Sequence, residues 1–321
     1  MPKDESFYDN RRYHGANATP MDTLDEPLVI QVAPTGSFIR REDNPNQAYT
    51  PEEVAQQVKG ACDAGASMCH LHVRDEDGIP DQQPETYART IDLIREEHDP
   101  VTSINVRGGR REATYGRPLL EETIGRLVDE QGSDYIDMVT SAPLGHIGEE
   151  GAPFVMNADI FREWVEYLQE LGVKPEIQGY DYRAFDQTYR WGVETNVLEK
   201  PYYINHTTGQ HAYFTSGPTQ PHPWGAMYMA TIKNTNPIPD DDMFLGGIVG
   251  GRNWLPLTVE AVIMGFDSVR IGMEDAATLY PHKDDPIESC AQVVDKIATI
   301  ARELGREVAT PEQARDRLGL S

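Results

Sequence analysis

Short β-rich runs alternate along this chain with longer stretches of helical character, and eight such runs recur. They fall at 27–33 (PLVIQVA), 67–73 (SMCHLHV), 101–106 (VTSINV), 135–140, 174–179, 202–207, 244–249 and 268–273. Helical signals lie between them. One opens at Thr50 with TPEE: a threonine cap, proline at the first helical position and acids in the first turn. Others cover 85–97 and 119–129, one opens at Asn157 and stops at Gly172, and the last covers 287–304. Strands alternating with helices imply βαβ units and a parallel sheet, and eight runs predict a (β/α)8 TIM barrel. A doubly wound sheet is the rival. Against it, the first turn, Ala33-Pro34-Thr35-Gly36, lacks the GxGxxG fingerprint. The expected organisation of this α/β chain is an N-terminal arm over 1–26 and a single barrel domain over 27–321. A long loop rich in Gly, Pro, His and aromatics is expected after the sixth strand, over 206–236.

Composition narrows the partners. The 321 residues are 39% hydrophobic and 25% charged, which suits a globular protein with a large core. No apolar run is long enough for a membrane span, and the polar N-terminus lacks the apolar segment of a secretory signal, so a cytoplasmic location is expected. A formal charge of −25 argues against nucleic acid and against acidic membrane surfaces, both of which need a basic face. Cys62, Cys69 and Cys290 form no CxxC pair and are expected as reduced thiols.

Two clusters carry chemistry. HLHVRD at 70–75 ends the second run. Side chains two apart on a strand share a face, so His70 and His72 project together while Cys69, Leu71 and Val73 face an apolar layer. Two neutral imidazoles on one face can hold one zinc ion. The bland alternative is a pair of hydrogen-bonded histidines. VRIGMED at 269–275 ends the eighth run. Its Arg270, Glu274 and Asp275 fit a structural ion-pair network equally well in isolation. In a closed barrel, however, the second and eighth strands both neighbour the first. Glu274 then completes a His2Glu set with an open coordination position, the pattern of a catalytic zinc. Arg270 beside Asp275 would keep that carboxylate ionised and aimed. His206 ends the sixth run and can reach the mouth, but it is left out of the metal set.

At these residues the chain resembles the β-keto acid cleavage enzyme family. The likeness runs from about residue 27 to the C-terminus. It includes the Thr35-Gly36 turn, TPEE at 50–53, DAGASMCHLHVRDEDGIP at 63–80, RIGMED at 270–275 and ARELGREVATPEQAR at 301–315. The resemblance implies a TIM barrel, a catalytic zinc held by His70, His72 and Glu274, and a homotetramer. It implies a β-keto acid and acetyl-CoA as co-substrates, giving acetoacetate and a new acyl-CoA. Arg270 and Asp275 become the catalytic pair, with Asp275 as base and zinc as Lewis acid. Thr35, Arg107, Asp137 and Gln178 stand where contacts with substrate or CoA are expected.

The chain departs from the family pattern at several of these positions. A hydroxyl-bearing turn after the third strand is replaced by Asn105-Val106-Arg107-Gly108-Gly109. Ser37-Phe38 follows the Thr35-Gly36 turn where amine-accepting members carry an acid. Gln178 replaces the second acid of a PExE pattern. These changes remove negative charge and add a guanidinium, so the substrate is expected to be neutral or to carry an extra carboxylate. Two other readings stay open: a zinc hydrolase or lyase of 1,3-dicarbonyl compounds that uses no CoA, and a non-catalytic metal- or ligand-binding barrel.

Overall fold

A computed structural model describes residues 22–106, 117–141, 146–147, 153–154, 157–209 and 223–320. Eight parallel strands close into a barrel: β1 (Val29–Val32), β2 (Met68–Leu71), β3 (Val101–Ile104), β4 (Met138–Ser141), β5 (Lys174–Gly179), β6 (Tyr202–Thr208), β7 (Met243–Val249) and β8 (Ser268–Ile271). The hydrogen-bonded order is β1-β8-β7-β6-β5-β4-β3-β2, so β1 sits between β2 and β8. This is the (β/α)8 TIM barrel expected from the alternation.

Strand parity divides the residues into two sets. Ile30, Val32, Cys69, Leu71, Ile104, Val139, Ile177, Ile204, Leu245, Val269 and Ile271 face outward and are buried under the helices in one large core. Inward positions change character with height. At the base, Val29, Met68, Val101, Met138, Tyr203 and Phe244 form a second apolar cluster with Ala309, Ala314 and Leu318. Above it comes a polar layer containing Gln31, Ser103, Glu176, Asn205 and Ser268, all fully buried. The C-terminal strand ends form the mouth.

The helix Pro311–Leu318 seals the base. A capping box between Thr310 and Gln313 starts it, with proline in the first turn. Arg317 donates to the Pro27 carbonyl and to Asp267, while Arg315 lies 3.5 Å from Asp137. The helix therefore ties the starts of several strands together.

Some expectations change. The long loop over 206–236 is shorter, because its first residues belong to β6 and Trp224–Thr235 is a helix. That helix has no side-chain N-cap, and Thr231, Asn234 and Thr235 bond back to carbonyls one turn earlier. Such residues read as loop in a sequence because their side chains compete with the backbone. Residues 210–222 lie outside the described residues, as do residues 1–21 of the expected arm. Residues 22–26 pack on the barrel: Thr23 donates to the Ile263 carbonyl and Arg306 to that of Glu26. The three cysteines are free thiols, and Cys69 and Cys290 are buried. No helix among the described residues is long and apolar enough to cross a membrane.

Leu318 is fully buried in the basal cluster. Leu318→Ala is expected to destabilise the protein by about 2–5 kcal/mol, the range for a buried leucine whose cavity does not collapse. Denaturant unfolding followed by circular dichroism reads this directly, and a loss below about 1 kcal/mol would contradict a sealing role for the helix.

Candidate metal centre at the barrel mouth

His70 is the third residue of β2, paired with Ser103 of β3 and fully buried. The backbone then leaves the barrel: Val73–Arg74 pairs antiparallel with Pro80–Asp81. His72 sits at this departure and remains on the His70 face, with ring centroids 5.3 Å apart. Arg74 holds the excursion in place, donating to the carbonyls of Gly78 and Ile39.

Glu274 arrives from the other side of β1. Its amide donates to the Ala33 carbonyl, 3.1 Å away. Two glycines make this approach possible. At Gly272 (φ +154°) a Cβ would lie 2.0 Å from the Ala33 oxygen, and at Gly36 a Cβ would lie 2.3 Å from Glu274 Cγ. The Thr35-Gly36 turn and the RIGMED segment are thus two halves of one close contact.

The carboxylate lands between the imidazoles. Glu274 Oε1 is 3.4 Å from His72 Nε2, and Oε2 is 3.7 Å from His70 Nε2. One ligand atom from each residue lies within 4.8 Å of the others. Donors on a tetrahedral zinc stand about 3.3 Å apart, given bonds near 2.0 Å. Glu274 Oε2 is also buried without a hydrogen-bond partner among the described residues. The donor set therefore fits a divalent metal with a fourth position open.

Arg270 organises the charges. Its Nε and Nη2 donate to the two oxygens of Asp275 at 3.0 and 2.6 Å, and Nη2 also reaches Glu274 Oε1 at 3.1 Å. Burial opposes the charge of Arg270, but the carboxylates of Asp275 and Glu274 outweigh it and raise its pKa. Burial likewise raises Glu274, yet Arg270, His70 and His72 hold its carboxyl well below the usual range. Burial and the Arg270 charge lower His70, favouring the neutral ring that a metal needs.

The other expected contacts are placed unevenly. Gln178, on β5 opposite β1, shares the inward parity of Glu176 one layer nearer the mouth, and its Oε1 accepts from Tyr180. Thr35 is fully buried, its hydroxyl accepting from Gln47 at 2.9 Å, so it braces the turn. Asp137 requires a correction. It precedes β4 and lies at the base, accepting from the Thr102 amide and facing Arg315, at the opposite end from the metal donors. Arg107 lies outside the described residues. His206 is buried between Phe185 and Tyr228, its Nδ1 on the Gly179 carbonyl and its Nε2 on Thr208, and burial lowers its pKa to about 4. Asn105, read only as part of a turn, brings Nδ2 to 3.4 Å from His70 Nε2.

Comparison with known proteins shows the family of this chain. The family model described as beta-keto acid cleavage enzyme matches residues 27–320. The chain belongs to the β-keto acid cleavage enzyme family. The chain is 31% identical over 296 residues to a 3-keto-5-aminohexanoate cleavage enzyme of Acetoanaerobium sticklandii, covering 92% of this chain and 99% of that protein. It is 30% identical over 303 residues to a 3-oxoadipate:acetyl-CoA acetyltransferase of Cupriavidus necator, covering 92% and 96%. The apo structure of ObcA shares the fold, with a TM-score of 0.69 at 16% identity, covering 86% of this chain and 66% of that one. For this member of the β-keto acid cleavage enzyme family, the segments first noticed as HLHVRD and RIGMED are those the fold brings together.

Gly36→Ala is expected to push Glu274 off the histidines and weaken divalent-metal binding about tenfold or more, the scale on which disturbed ligand support is felt. Competition of the metal-free protein with a chromophoric chelator measures it. Wild-type affinity in that variant would mean that Glu274 is not held by the turn.

Proposed function

We propose that this chain condenses a β-keto acid with acetyl-CoA and cleaves the adduct, giving acetoacetate and a new acyl-CoA. The observation that carries the reading is the convergence of His70, His72 and Glu274 with the Arg270–Asp275 pair in one barrel mouth, in a chain of this family. The two nitrogens and one oxygen suit zinc, which as a Lewis acid would polarise the substrate's keto oxygen.

Every other role falls to the chain. Asp275, held by both of its oxygens on Arg270, accepts a proton from the carbon between the keto and carboxylate groups. That carbon attacks the acetyl thioester and expels CoA thiolate. The thiolate then adds to the original keto carbon, the carbon–carbon bond breaks, and the carbanion left on the two-carbon fragment takes back the proton from Asp275. The acyl group leaves as its CoA thioester, and the acetyl group leaves on the two-carbon fragment as acetoacetate. Arg270, bonded to both Asp275 oxygens, offsets the cost of burying that carboxylate and aims it as the base before the proton is taken up.

The substrate proposed is neutral or carries a second carboxylate. An ammonium group would find no acid at Ser37, Phe38 or Gln178, whereas a carboxylate would find the guanidinium of Arg107. The relative named for 3-oxoadipate is consistent with a diacid in this family. A homotetramer, proposed from the family resemblance, is checked by light scattering on the purified chain.

The purified, metal-loaded protein is expected to form acetoacetate from a neutral or diacid β-keto acid only when acetyl-CoA is present. A clear preference for 3-keto-5-aminohexanoate would overturn the substrate class, and turnover without CoA would overturn the transfer. Asp275→Asn is expected to lose about 10²- to 10⁴-fold in turnover, the share of a positioned general base. It should keep its metal content by elemental analysis. Unchanged turnover would remove Asp275 as the base.

A further inference from the structure

Two acids are buried among the described residues, Asp275 and Glu176. The reaction above uses the first and leaves the second unexplained. Glu176 lies fully enclosed in the polar layer beneath the mouth. A carboxylate there is costly unless its lone pairs meet donors. Ser103 of β3 and Gln31 of β1 donate to Oε2, the latter at 3.5 Å, and Asn205 of β6 donates to Oε1 at 2.9 Å. Three strands thus aim donors at one group on β5. Burial pushes its pKa up, but the neighbouring His70, Ser103 and Asn205 reverse this and hold it at about 2.

The remaining neighbour is a metal donor. His70 Nδ1 lies 3.8 Å from Glu176 Oε2, and this nitrogen is buried with no hydrogen-bond partner among the described residues. The opposite nitrogen, Nε2, faces Glu274 at 3.7 Å and the Asn105 amide at 3.4 Å. Metal ligation through Nε2 uses the lone pair of that nitrogen and leaves the ring proton on Nδ1. That proton points at Glu176, and closing the gap by under about 1 Å makes a hydrogen bond of ordinary length.

We infer that Glu176 is a positioning residue for the metal centre. It accepts a hydrogen bond from His70 Nδ1–H, fixes the ring's tautomer and aims Nε2 at the ion. The inference rests on the proposed metal role of His70, His72 and Glu274. Its physical basis is general: a ligating imidazole whose second nitrogen donates to a carboxylate is held in orientation and made a better donor. Ser103, which pairs with His70 across β2 and β3 and also donates to Glu176, couples the two groups through the sheet.

The test compares metal-free wild type with Glu176→Gln, which keeps the shape and removes the charge. Zn²⁺ affinity is read by chelator competition, Co²⁺ geometry by visible absorption, and stability by melting of the metal-free forms. The variant is expected to bind metal about 10- to 100-fold more weakly and to show altered Co²⁺ bands. Equal affinity and an unchanged Co²⁺ spectrum, with or without a lower melting temperature, would overturn the positioning role while leaving the metal centre intact. Failure of the wild type itself to bind either ion would overturn the metal reading and this inference with it. Should the variant not fold, nitrogen NMR of the histidine rings in zinc-loaded wild type decides. The expected pattern for His70 is a protonated, hydrogen-bonded Nδ1 and a metal-bound Nε2, and the reverse tautomer refutes the inference.

Discussion

Glu274 meets His70 and His72 because a closed sheet places β2 and β8 on either side of β1. These candidate metal donors come from opposite ends of the chain, and the pairing of three strands brings them together. The contact has a steric condition as well. The exit from β8 crosses the end of β1 at Gly272 and Ala33, and the next turn brings Gly36 against the Glu274 side chain. Neither position leaves room for a Cβ. Arg270 adds the electrostatic condition, since one guanidinium donates to both Glu274 and Asp275. Removing it would leave a buried and a half-buried carboxylate side by side with no fixed cation between them.

The interior beneath that centre is graded. An apolar plug at the base, closed by Pro311–Leu318, supports a polar middle layer, and the candidate metal donors stand on the polar layer. Polar groups in a barrel interior weaken a fold unless they are paired, and a paired network resists displacement. Tyr203, Gln31, Asn205 and Ser268 interlock through side-chain hydrogen bonds drawn from β1, β6 and β8. A metal ligand resting on such a floor keeps its direction better than one resting on mobile apolar side chains, which is the condition for a preorganised site.

The barrel was legible because outward positions such as Ile30, Val32, Leu71 and Ile204 are apolar while the runs between them carry helix caps. That His70 and His72 share a face was legible from parity, which holds even though His72 stands beyond the end of β2, while their reading as metal ligands needed Glu274 and the family resemblance. Glu274 was legible because closure of the barrel follows from the number of strands. The polar layer was not. Gln31 looks like an isolated polar residue in an apolar run and Asn205 like the first of a polar strand end, and their meaning appears only through cross-barrel register. Asp137 was misplaced for a related reason. Its run was expected to start at 135, whereas β4 starts at Met138, and that offset moves the residue from mid-strand to the base. A strand's existence follows from composition, but the height of a residue in the barrel follows from where its neighbours start pairing.

This difference in what fixes each residue also separates the proposed chemistry from the proposed choice of molecule. His70, Glu274, Arg270 and Asp275 sit at or just past strand ends, where pairing and close glycine contacts dictate position. Ser37 and Phe38 follow β1 in a connecting segment, which strand register does not constrain. Substituting a residue in a connection leaves the metal donors where the sheet puts them. Moving a donor instead requires a change in strand register, which would turn its whole strand inside out. The barrel can therefore accept a new charge beside the site far more readily than it can give up the metal geometry.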